Sequence, residues 1–304
     1  MSSLVFSLLA ACCSALSSLI FRKNNDVSTT SGSPTGYLVL FYFLSFIISL
    51  LVFPAIWNGN VNYVVVALGL CVGILTSTLM VVTSRALQQG PAGLTFAFHN
   101  ASAIFPSLIL FVLLGSEFGF SYSYIQLAGM ALVLYGLFLG AKNETAGRSQ
   151  ASARWLQLAL GCFIIQILAL TFIQARCLLY DSHAASTFFS DAPFTEADDI
   201  WFMPGMFGAA FVMQTVLFLH EKRRFQKSEV IYGCLGGVAN FASTCLLLLA
   251  TKYALPFEQA ILFPCFAVGS MILCNVWSNR LYNEKFNLRT NALCSFGIFM
   301  AASS

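Results

Sequence analysis

The chain has 304 residues, of which 58% are hydrophobic and only 9% are charged, and its formal net charge is +3. Soluble domains carry roughly 25% charged residues, so this composition excludes an ordinary soluble protein and indicates an integral membrane protein. The small positive excess forms no basic face of the kind that binds nucleic acid. The 10 cysteines lie almost entirely in apolar segments and include no C-x-x-C pair, so we expect neither a metal site nor a cofactor.

Ten apolar segments follow one another along the chain. They cover residues 3–21, 37–56, 62–84, 93–114, 122–140, 154–175, 201–219, 229–251, 257–278 and 289–303. A helix needs about 20 apolar residues to cross the hydrocarbon core, and most of the segments approach that length. We therefore predict an all-α integral membrane protein with ten transmembrane helices.

The two halves of the chain repeat one another. Arg85 precedes Glu117 by 32 residues and Lys252 precedes Glu284 by 32 residues, which gives a common shift of 167 residues. Under this shift each half has five segments, the fourth of which contains a proline. An odd number of crossings inverts the second copy in the membrane, which is the plan of many secondary transporters. The predicted repeats are residues 1–140 and 154–304, joined by a linker at 141–153.

Segment four carries the polar groups that point most directly to a binding site. Thr95, His99, Ser102 and Pro106 are spaced so that they share one face of a helix, and Asn100 lies beside them. Unpaired polar groups are costly in hydrocarbon, so this face should meet protein or water rather than lipid. Two interpretations stay open: hydrogen bonds to a neighbouring helix, or the wall of a wet cavity for a solute. His99 is also a candidate for proton coupling, because the unperturbed pKa of histidine lies near neutrality.

The charges of the loops predict an orientation. Thirteen of the 15 Lys and Arg residues lie after segments one, three, five, seven and nine, whereas Arg176 and Lys252 lie on the other side. By the positive-inside rule the odd-numbered loops are cytoplasmic. Both termini are then predicted to face away from the cytoplasm, in a plasma or inner membrane.

Two stretches of sequence carry a resemblance to a known family. They are RALQQGPAGLTFAFHNASAIFPSLILFVLLGSEF from Arg85 and KYALPFEQAILFPCFAVGSMILCNVWSNRLYNEKF from Lys252. Each has a small-residue turn, a helix with a proline at mid-depth and a closing glutamate. Together with the two inverted fives, this pattern resembles the drug/metabolite transporter superfamily, and its EamA-type members in particular. Members of that family usually keep both termini in the cytoplasm, and the loop charges here indicate the reverse.

The resemblance implies a central cavity bordered by segments one, three, four, six, eight and nine. The intramembrane polar residues fall largely on these segments. On segment eight they are Asn240, Ser243 and Thr244, and Gln259 lies at the mouth of segment nine. Further polar residues on the other segments are Ser14, Ser17, Ser18, Thr76, Ser77, Thr78, Gln166 and Thr171. Ser and Thr in membrane helices often bond to their own backbone, so a structural role competes with solute contact at each of them.

The predicted function is a secondary transporter, not an enzyme, that moves a small organic metabolite such as an amino acid or a related solute by alternating access. Pro106 and Pro264 would each free a carbonyl one turn earlier and serve as hinges. One alternative is an exchanger of nucleotide sugars or other phosphorylated metabolites, which the few cations near the expected cavity disfavour. The other is an intramembrane enzyme. The expected partners are a small-molecule solute and the lipid bilayer, without nucleic acid, and a homodimer is left open.

Overall fold

The protein is helical throughout the part of the chain that the computed structural model describes. That part comprises residues 3–27, 33–53, 61–90, 92–115, 123–145, 150–176, 196–254, 256–282 and 288–302. Helices make up 93% of it, and it contains no strand. Long apolar runs with few breaking residues account for this, because a helix satisfies all of its backbone hydrogen bonds internally.

The helices follow the predicted segments. They are α1 (Ser3–Val27), α2 (Thr35–Val52), α3 (Tyr63–Gln89), α4 (Ala92–Ala101), α5 (Pro106–Leu114), α6 (Tyr124–Thr145), α7 (Gln150–Ala175), α8 (Phe202–His220), α9 (Lys227–Tyr253), α10 (Pro256–Tyr282) and α11 (Leu288–Ala302). Short 3-10 turns lie at Ser102–Ile104 and Glu196–Trp201. Each predicted segment overlaps α-helix, and segment four is divided between α4 and α5.

Eight spans within the described residues are long and apolar enough to cross a membrane, as expected of a multi-pass integral membrane protein. They are Ser3–Asn25, Thr35–Val52, Tyr63–Gln89, Leu94–Leu114, Ala153–Ala175, Asp199–His220, Lys227–Tyr253 and Leu262–Leu281. A shorter apolar helix covers Tyr124–Leu139. The fifth and tenth predicted segments, on α6 and α11, are therefore not among the eight, and ten crossings stay a prediction.

The two intrahelical prolines have different effects on the backbone. The 3-10 turn Ser102–Ile104 ends α4, and Pro106 is the first residue of α5. Proline has no N–H to donate to the preceding turn, and the first helical turn is where that loss costs least. Pro264 instead lies inside α10, which continues past it. The predicted hinge at Pro106 thus coincides with an observed break in the helix, whereas α10 is unbroken at Pro264.

Glycines bring two pairs of helices into close backbone contact. A Cβ atom on Gly69 would lie 2.5 Å from the carbonyl oxygen of Phe202, and one on Gly73 would overlap the carbonyl oxygen of Met206, so α3 touches the backbone of α8. Gly233 and Gly237 of α9 have the same relation to α2, where they face the carbonyls of Tyr37 and Phe41. Small residues at helix crossings let membrane helices pack this closely.

The two ends of the helix bundle differ in charge. The end at which α1 and α3 finish is held by a hydrogen bond from Ser84 Oγ to Asn25 Oδ1, 3.0 Å long. We call it the basic end. The bases at or near it include Arg22, Lys23, Arg85, Arg154, Lys222, Arg223, Arg224 and Lys227. At the opposite end, Phe6 near the start of α1 stacks on Tyr253 at the end of α9.

Candidate functional site

A central cavity of about 160 Å³ lies between the helices of the two halves. The described residues that line it come from α1, α2, α3 and α4 in the first half and from α7, α8, α9 and α10 in the second. Its polar lining consists of Ser14, Ser17, Ser18, Tyr42, Thr76, Thr83, His99, Gln166, Asn240, Ser243 and Thr244. Its apolar lining consists of Phe21, Phe41, Leu79, Met80, Phe96, Ala169, Leu170, Ile173, Met206, Phe207, Leu247 and Phe266.

Four of the predicted site residues meet at this cavity: His99 on α4, and Asn240, Ser243 and Thr244 on α9. Ser243 Oγ donates a hydrogen bond to the carbonyl of Ala10 at 2.9 Å, so this hydroxyl also ties α9 to α1. The amide of Asn240 reaches the hydroxyl of Ser45 at 3.4 Å. Among the described residues, Nδ1 of His99 has no hydrogen-bond partner, although it is shielded from solvent. A cavity-wall imidazole with an unused nitrogen is a suitable partner for a polar solute.

The rest of the predicted stripe on segment four does not line the cavity. Thr95 Oγ1 accepts a hydrogen bond of 3.0 Å from the indole of Trp155 on α7, which is the helix-to-helix alternative left open above. Ser102 lies in the 3-10 turn and donates to the carbonyl of His99. Asn100 is buried outside the lining. The helix ends at Ala101, so residues beyond it no longer follow the spacing that placed them on one face.

Three further predicted residues have other positions. Pro106 and Pro264 are both buried and lie outside the lining. The side chain of Gln259 is outside the described residues, and so are Glu117 and Glu284, the glutamates that defined the repeat. The predicted hinges are therefore structural parts of the cavity walls' helices rather than part of the lining itself.

The additional hydroxyls and amides divide between lining and packing roles. Ser14, Ser17, Ser18, Thr76 and Gln166 line the cavity. Thr78 and Thr171 donate to carbonyls of their own helices, and Ser77 accepts a 2.7 Å hydrogen bond from Gln214 of α8.

Tyr42 and Thr83 were missed by the sequence analysis. Tyr42 Oη donates to the carbonyl of Thr76 at 3.1 Å, and Thr83 Oγ1 lies 3.3 Å from Cys162 Sγ. Their polar character was the available signal.

No Lys, Arg, Asp or Glu is among the described residues that line the cavity. The nearest such group along the lining helices is Arg176, which directly follows α7 at the end of the bundle opposite the basic end. Arg176 is 1% exposed, its guanidinium lies over the Phe202 ring at 4.9 Å, and its Nε is 3.2 Å from Oδ1 of Asp199. Sequence analysis treated Arg176 only as a loop base, because nothing local distinguishes a loop arginine from a buried one.

A second charged cluster ties the loop between α8 and α9 to the start of α2. Arg223 donates to both carboxylate oxygens of Glu229, at 2.9 and 2.8 Å, and to Glu221 at 2.7 Å. Partial burial by itself would raise the pKa of Glu221, but hydrogen bonds from Ser33, Arg223 and Thr35 outweigh it and hold that pKa below its ordinary value. Burial would likewise lower the pKa of Arg223, and its two glutamate partners raise it instead. The cluster therefore closes the basic end with fully ionised groups.

Within the described residues, no group of three or more His, Cys, Asp or Glu side chains is placed to hold a metal ion. What the site offers is a mostly apolar chamber with hydroxyl, amide and imidazole groups on its wall. Such a chamber can bind and orient a small solute.

Comparisons with known proteins reveal similarity of fold only. No family model matches the sequence, and no curated protein matches it. One solved structure, described only as a crystal structure of a protein, superposes with a TM-score of 0.63 and 11% sequence identity. The match covers 99% of this chain and 95% of that one, so the whole helix arrangement recurs in another protein.

Proposed function

We propose that the protein is a secondary transporter that moves a small polar organic solute across a membrane by alternating access. The observation that carries the proposal is the central cavity, whose wall is built from both halves of the chain and bears polar side chains from α1, α3, α4, α7 and α9. A transporter that rocks one half against the other needs its solute site at the boundary between them. Polar groups kept at that depth in an otherwise apolar bundle are costly unless they serve a solute or one another.

Equivalent contacts in the two halves support an inverted repeat. Gly69 and Gly233 are 164 residues apart in the chain, as are Gly73 and Gly237. The first pair brings α3 against α8, and the second brings α9 against α2, so the third helix of each half packs on the second helix of the other. This register differs by three residues from the shift of 167 that the loop charges suggested. Exchange of partners between halves is what a twofold axis in the membrane plane produces.

We further propose ten crossings in two inverted fives, the arrangement of the transporter superfamily that the sequence resembles. The basic end would face the cytoplasm, because it carries most of the loop bases, and both termini would lie on the other side of a plasma or inner membrane. His99 would carry a coupled proton. Replacement by glutamine should then abolish the dependence of transport on a pH gradient, and an unchanged response would exclude that role.

Uptake into proteoliposomes tests the transport activity. Vesicles that contain the purified protein are given a mixture of labelled metabolites, and the solutes retained inside are identified. Thr244→Trp should abolish uptake because the indole would fill the cavity. Val216→Trp is the matched control, since Val216 is 61% exposed on the outside of α8. If no labelled solute accumulates or exchanges in wild-type vesicles, or if Thr244→Trp transports as well as Val216→Trp does, the proposal is wrong.

A further inference from the structure

Arg176 spans the cavity at the end opposite the basic end. It directly follows α7, a helix that packs mainly against α3, α4 and α5 and makes no comparably extensive contact with α8 or α9. Its side chain nevertheless reaches Phe202 at the start of α8 and Thr251 near the end of α9, with the latter 3.4 Å from Nη2. The side chain therefore crosses from one wall of the bundle to the other two.

The partners of Arg176 lie one helical turn beyond the lining. Ile173, Met206 and Leu247 line the cavity on α7, α8 and α9. Arg176 is three residues beyond Ile173 and Thr251 is four residues beyond Leu247, so each lies about one turn further toward the same end. Phe202 is four residues before Met206 on a helix that runs the opposite way, and so lies at the same level. The guanidinium forms the roof of the cavity at this end.

This guanidinium has more donors than partners. A guanidinium presents five N–H donors, and its strongest complement is a carboxylate held by two parallel hydrogen bonds. Here Asp199 lies 3.2 Å from Nε, but within the described residues neither Nε nor Nη1 makes a hydrogen bond, although both atoms are shielded from solvent. Most buried donors in native proteins are paired, so the open positions indicate a ligand that is absent from this arrangement.

We propose that Arg176 binds the carboxylate of a small organic anion in the cavity, in exchange for Asp199. This inference rests on the proposed transport function and names the class of solute. A carboxylate fits because the group beside Arg176 is already one, and because the hydroxyls and amides of the wall suit the polar remainder of such a solute. A phosphate, with up to two charges, is less well matched because no second cation is among the described residues of the lining.

Binding of matched probes tests the solute class. The melting temperature of the purified protein is measured with lactate and lactamide, benzoate and benzamide, glutamate and glutamine, and with inorganic phosphate. The acids should stabilise the protein and the amides should not, since ligands that bind the folded state raise the melting temperature. The proposal is wrong if no acid raises the melting temperature, if each amide acts as well as its acid, or if phosphate alone binds.

Variants separate a ligand role from a structural one. Asp199→Asn removes the internal competitor, so it should bind the stabilising acid more tightly than the wild type does. Arg176→Gln combined with Asp199→Asn leaves no unpaired charge and should fold. It should bind the acid at least about 30-fold more weakly than Asp199→Asn, the effect of losing one partner of a buried charge pair. Equal affinity of the double variant and Asp199→Asn, or no gain in Asp199→Asn, would show that Arg176 is only structural.

The uptake assay keeps this inference distinct from transport itself. Wild-type vesicles that accumulate a neutral or cationic solute and no carboxylate would overturn the role of Arg176 and leave the transport function intact. Vesicles that accumulate nothing while the acids still bind would instead overturn the transport function.

Discussion

Gly73 offers a direct test of how closely α3 and α8 pack. A Cβ atom added at Gly73 would overlap the carbonyl oxygen of Met206 and would lie 2.9 Å from the Cβ of Ala209. Both neighbours belong to the rigid part of α8, so the helices must separate to admit a methyl group. Overpacking of this kind typically costs about 1–3 kcal/mol. Because Met206 also lines the cavity, Gly73→Ala should weaken solute uptake as well as lower stability.

Gly161→Ala is the matched control. A Cβ atom at Gly161 on α7 would meet only Val82 Cγ1, at an ordinary distance of 3.7 Å. That variant should be neutral or stabilised by up to about 1 kcal/mol, the difference in helix propensity between glycine and alanine. The measurement is the unfolding midpoint of both purified variants in the same detergent. The close packing of α3 on α8 would be refuted if Gly73→Ala were as stable as Gly161→Ala.

Three further predictions concern the charged cluster and the cavity. Arg223→Gln should destabilise the protein by about 3–5 kcal/mol, because Glu229 is fully buried and would lose its bidentate partner; detergent unfolding measures this, and a loss below about 1 kcal/mol would contradict it. The pKa of Glu221 is lowered in the folded state, so its stabilising contribution is present above the ordinary value of 4.5 and disappears as the pH falls through the folded value; the wild-type melting temperature should therefore fall more steeply below about pH 5 than that of Glu221→Gln, and parallel curves would count against it. In a background without native cysteines, Thr244→Cys should react with a water-soluble thiol reagent, whereas Ser49→Cys, at a fully buried position outside the lining, should not; equal reactivity at both positions would contradict the cavity.

The sequence alone determined the class of protein and the positions of its helices. Long apolar runs such as the one within α3 have only one way to satisfy their backbone groups in hydrocarbon, so their helical state is a local property. Pro106 likewise announced a disturbance in segment four, since a proline cannot donate to the preceding turn. Local chemistry decides these features, and sequence reasoning reads local chemistry well.

Only the tertiary structure decided which side chains face one another. The spacing of Thr95 and His99 predicted one shared polar face, yet Thr95 bonds to Trp155 of α7 while His99 lines the cavity. Arg176 had the appearance of a loop base, and the packing of α8 and α9 places Phe202 and Asp199 around it. Neighbours of this kind are brought together by contacts such as the one at Gly73, between helices far apart in the chain. The identity of a helix's neighbours is set by such distant contacts, so no periodicity within one segment can reveal it.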